Sequence, residues 1–358
     1  MRTTHTLEVG DARHLTAVPD GSVHLVVTSP PYPMIEMWDG SFAALAPQSQ
    51  VELAAGRGMA AFQAMHTALD AVWAECARCL CPGGLLCVNI GDATRTLNEQ
   101  FGLYPNHARI WSALMALGLT PLPDILWRKP TNAPNKFMGS GMLPAGAYVT
   151  YEHEYVLIAR KGDKRSFNAE ARARRASSAF FWEERNLWFS DLWTDLRGAP
   201  QRLEPGAPRE RSAAFPFELP YRLIQMYSLI GDTVLDPFAG TGVTAAAALA
   251  SGRHSHSVER LEALRPAILD NLLGAVSAGR RRTRERLEAH RAFGLAREAE
   301  GRPLGHHNRT YDLPVMTRQE QALSLAAPRS ATVTEAGVVA EIELGSNGRD
   351  EEHQTKTF

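Results

Sequence analysis

The stretch GDTVLDPFAGTGVTAAAALASGRHSHSVER, residues 231–260, admits few folds. An apolar run (TVLD) enters a turn carrying two glycines, an alanine-rich segment follows, and a second apolar run ends at Glu259. This is strand, turn, helix, strand, the unit of a parallel sheet covered by helices. Gly240 and Gly242 let the backbone turn sharply and approach a ligand closely. The helix that starts there presents unpaired N–H groups and a positive dipole end, which suit an anionic group. Glu259, nineteen residues after Gly240, can accept hydrogen bonds from both hydroxyls of a ribose. The turn reads as a site for a nucleoside that carries a negatively charged group.

Two ligands fit that description. GTGVTA satisfies the pattern G-x-G-x-x-A of dinucleotide sites, which implies NAD. Asp236-Pro237-Phe238 ahead of the glycines points instead to S-adenosyl-L-methionine, with Asp236 accepting from the ligand ammonium and the turn N–H groups meeting its carboxylate. Asp236 would equally serve as a cap on its own turn.

Elsewhere apolar runs alternate with helical patterns, as in a βαβ fold. Strands are expected at 6–9, 23–28, 84–90, 122–128, 151–159, 232–236 and 254–258. Helices are expected at 59–80, at 105–117, from Pro220, after Gly242, and from 259 to about 297. The last carries Arg280, Arg281, Arg282, Arg284 and Arg286, a run that usually marks a solvated helix face. The tail beyond about 299 shows little core potential and is expected to be partly disordered. No run of 18 apolar residues exists to span a bilayer, and no apolar segment follows the N-terminal MRTTHTLEVG, so a cytoplasmic protein is expected. Cys76, Cys79, Cys81 and Cys87 fall within twelve residues, which argues against a disulfide framework. Their spacing suits a buried helix face rather than zinc, and no metal is expected.

Residues 160–211 hold 12 Lys/Arg against 8 Asp/Glu, with interleaved aromatics. Such a composition grips phosphates and packs on bases, or fills a satellite core. The overall net charge of −1 excludes a histone-like binder but not a nucleic-acid enzyme.

A second turn decides between the readings. VHLVVTSPPY places Ser29, Pro30, Pro31 and Tyr32 at the end of an apolar strand, where open α/β sheets place their ligands. Two prolines fix two φ angles and remove two N–H donors, so neighbouring carbonyls are held rigid. A side-chain oxygen and a carbonyl held there can accept both hydrogens of an exocyclic amine on a base. That aims the nitrogen lone pair at an electrophile, and Tyr32 gives the base a face to stack on.

These residues resemble the beta class of DNA amino-methyltransferases, found in restriction–modification systems. TSPPY at 28–32 is similar to their motif IV and DPFAGTG at 236–242 to their motif I. CPGGLLCVNIGD (81–92), ILWRKP (125–130) and YEHEYVLIARK (151–161) resemble further family segments. RSAAFPFELPYRLI (211–224) resembles motif X, and Glu259 stands where motif II keeps its acid. The resemblance covers about 1–275 and implies a Rossmann-like S-adenosyl-L-methionine-dependent methyltransferase fold of the α/β class, circularly permuted. Its sheet is expected to be mixed and seven-stranded, with TLEV third, DTVLD first and the last strand antiparallel. The implied division is a catalytic half (1–160), an inserted target-recognition region (161–211), a cofactor-binding half with the C-terminal helix (212–298), and an extension (299–358).

The resemblance also implies roles. Ser29, Pro30, Pro31 and Tyr32 form the catalytic turn. Asp11, Thr28, Phe215, Pro216, Asp236, Pro237, Phe238, Ala239, Gly240, Thr241, Gly242 and Glu259 bind the cofactor, with Asp11 at the adenine edge and Phe215 and Pro216 at the methionine end. Lys129, Asn132, Lys136, Arg172, Arg174 and Arg175 are the candidates for contact with double-stranded DNA. SPPY is the form usual among cytosine-N4 enzymes, so the expected reaction is transfer of a methyl group to cytosine N4 of a flipped base, with adenine N6 as the alternative. A cognate restriction endonuclease is the partner such a system implies, and the chain could act as a monomer or a homodimer. An NAD-dependent oxidoreductase and a silent DNA-binding module are the remaining rivals. A cytosine-C5 enzyme is disfavoured, because no cysteine here directly follows a proline.

Overall fold

The computed structural model describes residues 1–129, 138–198 and 215–348. Among these residues, eleven strands form one mixed sheet. From one edge the order is Leu192–Trp193, Ile125–Arg128, His153–Lys161, Leu80–Ile90, Val23–Thr28, Thr233–Asp236, His254–Glu259, Arg2–Val9, Gly337–Leu344 and Ala326–Thr334, with Leu119–Pro121 also pairing with His153–Lys161. The central strands Leu80–Ile90, Val23–Thr28, Thr233–Asp236, His254–Glu259 and Arg2–Val9 are mutually parallel, whereas His153–Lys161 runs antiparallel to its neighbours.

Parallel strands buried on both faces read as unbroken apolar runs, and VHLVVT does so. Val26 joins one core with Leu69, Val72 and Trp73 of the helix Gly58–Cys79, while Leu25 and Val27 join a second core with Leu219 and Leu223 of the helix Glu218–Tyr227. In the helix Gly58–Cys79 the expected stripe of Phe62, Met65, Leu69, Val72, Cys76 and Cys79 is buried, each large apolar side chain contributing roughly 1.5–3 kcal/mol of transfer free energy. All four cysteines are free.

Two expectations are corrected. The sheet has eleven strands among the described residues, not seven, in part because the chain beyond 299 adds to it. The hairpin Ala326–Thr334 and Gly337–Leu344 lays its second strand antiparallel against Arg2–Val9, in register from Arg2↔Glu341 to Thr6↔Gly337. Ala326, Val338, Ala340 and Ile342 are buried against Leu7, Leu249 and Leu272. Far from lacking core potential, this segment closes an edge that would otherwise present bare N–H and C=O groups. Gly337 sits at φ +142°, and a β-carbon at this position would fall 2.1 Å from the His5 carbonyl oxygen, so only glycine fits there.

The helix Arg265–Ala299 is a spine rather than a solvated rod. Arg286 is 3% exposed. It donates to Glu184 Oε1 and Oε2 at 2.6 and 2.7 Å, and its guanidinium lies over Trp188. Arg282 donates to Glu218 and lies over Tyr221. Phe181 and Trp182 stack on His290 and Phe293 of the same helix. Of the aromatics of 180–193, Phe181 fills a satellite core and Trp188 and Trp193 are buried, whereas Trp182 and Phe189 stay exposed, and Leu192–Trp193 joins the sheet. Among the described residues, no helix is long and apolar enough to cross a membrane.

Candidate active site

Two turns separated by more than 200 residues of sequence meet because their strands are neighbours. Leu25 and Val26 pair in parallel with Val234 and Leu235, so both strands release the chain at the same sheet edge, where open α/β sheets bind ligands. Thr28 Oγ1 donates to Asp236 Oδ1 at 2.7 Å, and the Phe238 N–H donates to the same oxygen at 3.1 Å. Gly240 (φ +54°) and Gly242 (φ +80°) take the left-handed conformation that carries the chain into the helix Val243–Ala250. Glu259 secures the turn from the next strand, accepting from the Gly240 and Leu261 N–H groups at 2.9 Å each. Asn271 of the long helix donates to the Thr241 carbonyl at 2.7 Å.

Beside these turns lies a cavity of about 820 Å³, lined among others by Asp11, Ser29, Pro31, Trp38, Val72, Pro237, Phe238 and Glu259. Its size lies in the range typical of small-molecule sites. Asp11 is paired with Arg13 through a bidentate contact, and hydrogen bonding from Arg13 holds the carboxyl below the usual carboxylate range.

Thr28, Pro30, Asp236, Ala239, Gly240, Thr241 and Gly242 are not among the residues that line this cavity. Asp236 is the clearest case. It is 3% exposed, accepts from Thr28 and the Phe238 N–H through Oδ1 and, unlike Glu259, stands outside the cavity lining, so here it closes its own turn. Phe215 is buried in the core on the opposite sheet face, and the Pro216 carbonyl accepts from Leu219 at the start of a helix; neither reaches the cavity.

Burial raises the Asp236 carboxyl to about 6, only partly opposed by the bond from Thr28. Because this lies above the ordinary carboxylate value, the folded chain holds the proton more tightly than the unfolded one. The contribution of this group to stability is therefore greatest below about pH 4 and falls as pH rises through about 6. Asp236→Asn keeps an oxygen to accept from Thr28 and Phe238 and removes the charge. It is expected to raise stability at pH 8 by roughly 2–3 kcal/mol and to flatten the pH 4–7 profile, as read by denaturant titration across that range.

Behind Ser29 stands a polar cluster that sequence reasoning missed. Ser29 Oγ donates to the Tyr32 hydroxyl at 3.2 Å, and Tyr32 donates to Glu154 Oε2 at 3.0 Å. Asn89 Nδ2 donates to both Tyr32 (2.9 Å) and Glu154 (2.7 Å), and Lys129 Nζ donates to Glu154 Oε1 at 2.7 Å. Tyr32 is 4% exposed, so its ring is covered here rather than open for stacking. Glu154 and Asn89 stand inside the segments YEHEYVLIARK and CPGGLLCVNIGD, but nothing local separates them from ordinary strand residues. Nearby, Asp92 accepts from the His107 N–H at the start of the helix Asn106–Ala116 and from the Tyr151 hydroxyl, acting as a cap that also anchors a tyrosine.

The DNA-contact candidates divide. Lys129 is at the site edge but turned inward to Glu154. Arg174 bonds Asp232, as does the neighbouring Arg165, and Asp232 precedes the strand Thr233–Asp236; Arg175 lies over Phe167, and Arg172 donates to the Phe167 carbonyl. This group occupies the sheet edge opposite the two turns, which corrects the expectation that Arg172, Arg174 and Arg175 contact the substrate with the catalytic turn. Asn132 and Lys136 lie outside the described residues.

Residues 23–269 match the family model described as DNA methylase, of the N6/N4 type. The chain belongs to this family. It is therefore a DNA methylase of the N6/N4 amino-methylating type, and the oxidoreductase reading of GTGVTA is set aside. It is 46% identical over 332 residues to the type II methyltransferase M.MthZI of Methanothermobacter thermautotrophicus, covering 92% of each chain. It is 47% identical over 281 residues to the type II methyltransferase M.MjaI of Methanocaldococcus jannaschii, covering 75% of this chain and 91% of that one. Among solved structures, a Thermus thermophilus protein described as a putative DNA modification methylase and crystallised with S-adenosyl-L-methionine is 33% identical. It superposes with a TM-score of 0.59 over 76% of this chain and 95% of its own.

Proposed function

We propose that this DNA methylase transfers the methyl group of S-adenosyl-L-methionine to the exocyclic N4 of cytosine in duplex DNA, within a restriction–modification system. One observation carries the reading: Ser29 and Pro31 of one turn share a single cavity with Pro237, Phe238 and Glu259 of the other. A cofactor bound there supplies an electrophilic methyl carbon on a sulfonium. Glu259 would accept from its ribose hydroxyls, Asp11 would meet its adenine edge, and Pro237 and Phe238 would bound its middle. The cavity volume and this donor and acceptor set fit such a ligand.

Ser29 supports the choice of cytosine. Its hydroxyl hydrogen is directed to Tyr32, which leaves oxygen lone pairs for an amine hydrogen from the cavity side. A neutral acceptor of this kind is the SPPY form, and it adds no negative charge beside the base. The target is reached by base flipping, and catalysis rests on positioning and hydrogen bonding that favour in-line attack. The side that meets DNA is the edge where the turns emerge. Met142 (84% exposed), Leu143 (70%) and Val149 (86%) stand in the described segment 138–150, which favours that segment over the described part of 161–211 as the recognition surface.

Single-molecule sequencing of DNA from a host expressing the chain tests the proposal. The expected result is an N4-methylcytosine signature at every copy of one short sequence. An N6-methyladenine signature would replace the base assignment, and unmodified DNA would overturn the function.

A further inference from the structure

We infer that Glu154 is the terminal acceptor, through Tyr32, of the proton that the target amine must lose, so that Ser29, Tyr32 and Glu154 form a proton relay out of the cavity. The inference rests on the methyl-transfer reading above and adds a route for the proton. Ser29 lines the cavity. Behind it the donors run in one direction, from Ser29 Oγ to the Tyr32 hydroxyl (3.2 Å) and from that hydroxyl to Glu154 Oε2 (3.0 Å). Lys129 on Oε1 and Asn89 on Oε2 hold the carboxylate in place. Among the described residues, Lys129 and Tyr32 are the titratable groups bonded to it.

The chemistry requires such a route. As the amine nitrogen bonds to the methyl carbon, the sulfur–carbon bond breaks with its electron pair going to sulfur, and the positive charge passes to the nitrogen. A proton must then leave. It passes from nitrogen to Ser29 Oγ, the Ser29 proton to the Tyr32 oxygen, and the Tyr32 proton to Glu154 Oε2. A sulfonium and a carboxylate end as a thioether and a carboxylic acid, so charge balances. Burial and the charge of Glu154 both raise the Tyr32 hydroxyl well above its ordinary range. A free tyrosinate is therefore avoided and the three transfers move together. The Glu154 side chain is 12% exposed, enough to return the proton to water between turnovers. A purely packing role would not require the donor direction to run from cavity to carboxylate.

The test is single-turnover methyl transfer by the full chain, on DNA carrying its site, across pH and in heavy water. Glu154→Gln is expected to slow the transfer step by about 10²-fold, within the range for general acid–base groups. It should also erase the acid limb of the wild-type rate profile and the heavy-water slowing, while S-adenosylhomocysteine binds with unchanged affinity. Glu154→Asp should restore the acid limb in part. Tyr32→Phe keeps the ring and cuts the relay, so it must reproduce the Glu154→Gln profile, and it decides alone if Glu154→Gln does not fold. Wild-type rates in both variants, or slower rates with the pH profile and heavy-water effect intact, overturn the relay. Wild-type chain that methylates no amine overturns the underlying function instead, so the two failures are distinct.

Discussion

Ser29→Ala is expected to lower methyl transfer to duplex DNA by about 10²–10³-fold or more, the loss typical of removing one preorganised hydrogen-bonding group from an active site, with cofactor affinity unchanged. Ser29 lines the cavity, while the turn that carries it is set by Pro30, Pro31 and the strand Val23–Thr28. Truncation removes the acceptor for the amine and the head of the bonded chain to Tyr32 but leaves the walls formed by Pro237, Phe238 and Glu259. Tyr32→Ala should be as severe and also somewhat destabilising, because it empties a site that is 4% exposed. Calorimetry with S-adenosylhomocysteine and a single-turnover assay separate binding from chemistry. Normal turnover by Ser29→Ala would remove this turn from the mechanism.

Arg286→Met is the variant expected to cost the most stability, about 3–5 kcal/mol, the usual loss when one member of a buried ion pair is removed. The Arg286 guanidinium meets both Glu184 oxygens, approaches the Tyr221 hydroxyl at 3.3 Å and lies 5.3 Å from the Trp188 ring centre. Burial alone would lower its proton affinity, but Glu184 more than compensates and drives it above the ordinary arginine range. Without it the Glu184 carboxylate, 12% exposed, keeps the Phe181 N–H and loses its counter-charge. Denaturant midpoints report the loss. The double variant Arg286→Met/Glu184→Leu should recover part of it, since replacing both partners removes the uncompensated charge. A single-variant loss below about 1 kcal/mol would mean that water reaches Glu184 in place of arginine.

Much of the architecture is legible in local pattern. The VHLVVT and TVLD runs, the stripe from Phe62 to Cys79 and the glycine pair at 240 and 242 are signals written within a couple of dozen residues at most, and the structure realises all of them. The meeting of Ser29 with Pro237 and Glu259 was accessible only through motif order, since spacing says nothing of which strands become neighbours. Three features escaped for separate reasons. The hairpin after 326 alternates Val338, Ala340 and Ile342 inward, but Val339 between the first two breaks the apolar–polar period and leaves only a short run that shows it. Arg172, Arg174 and Arg175 carry the composition of a phosphate grip, yet composition is blind to which sheet edge a segment reaches, and Asp232 draws Arg174 and the neighbouring Arg165 to the far one. Glu154 is a strand residue whose role arises from Tyr32, Asn89 and Lys129 on three other segments.

The pairing of the strand Arg2–Val9 bears on how the chain is made. During vectorial synthesis its residues emerge early, yet His5 meets Ser255 across 250 positions and Arg2 meets Glu341 across 339. Neither neighbour exists until most of the polypeptide has left the ribosome. Contacts this distant along the chain close slowly, so the nascent protein must carry an unpaired β-segment through most of its translation. A release truncated before residue 326 would leave that segment half-paired, and such fragments should self-associate or enter degradation rather than accumulate.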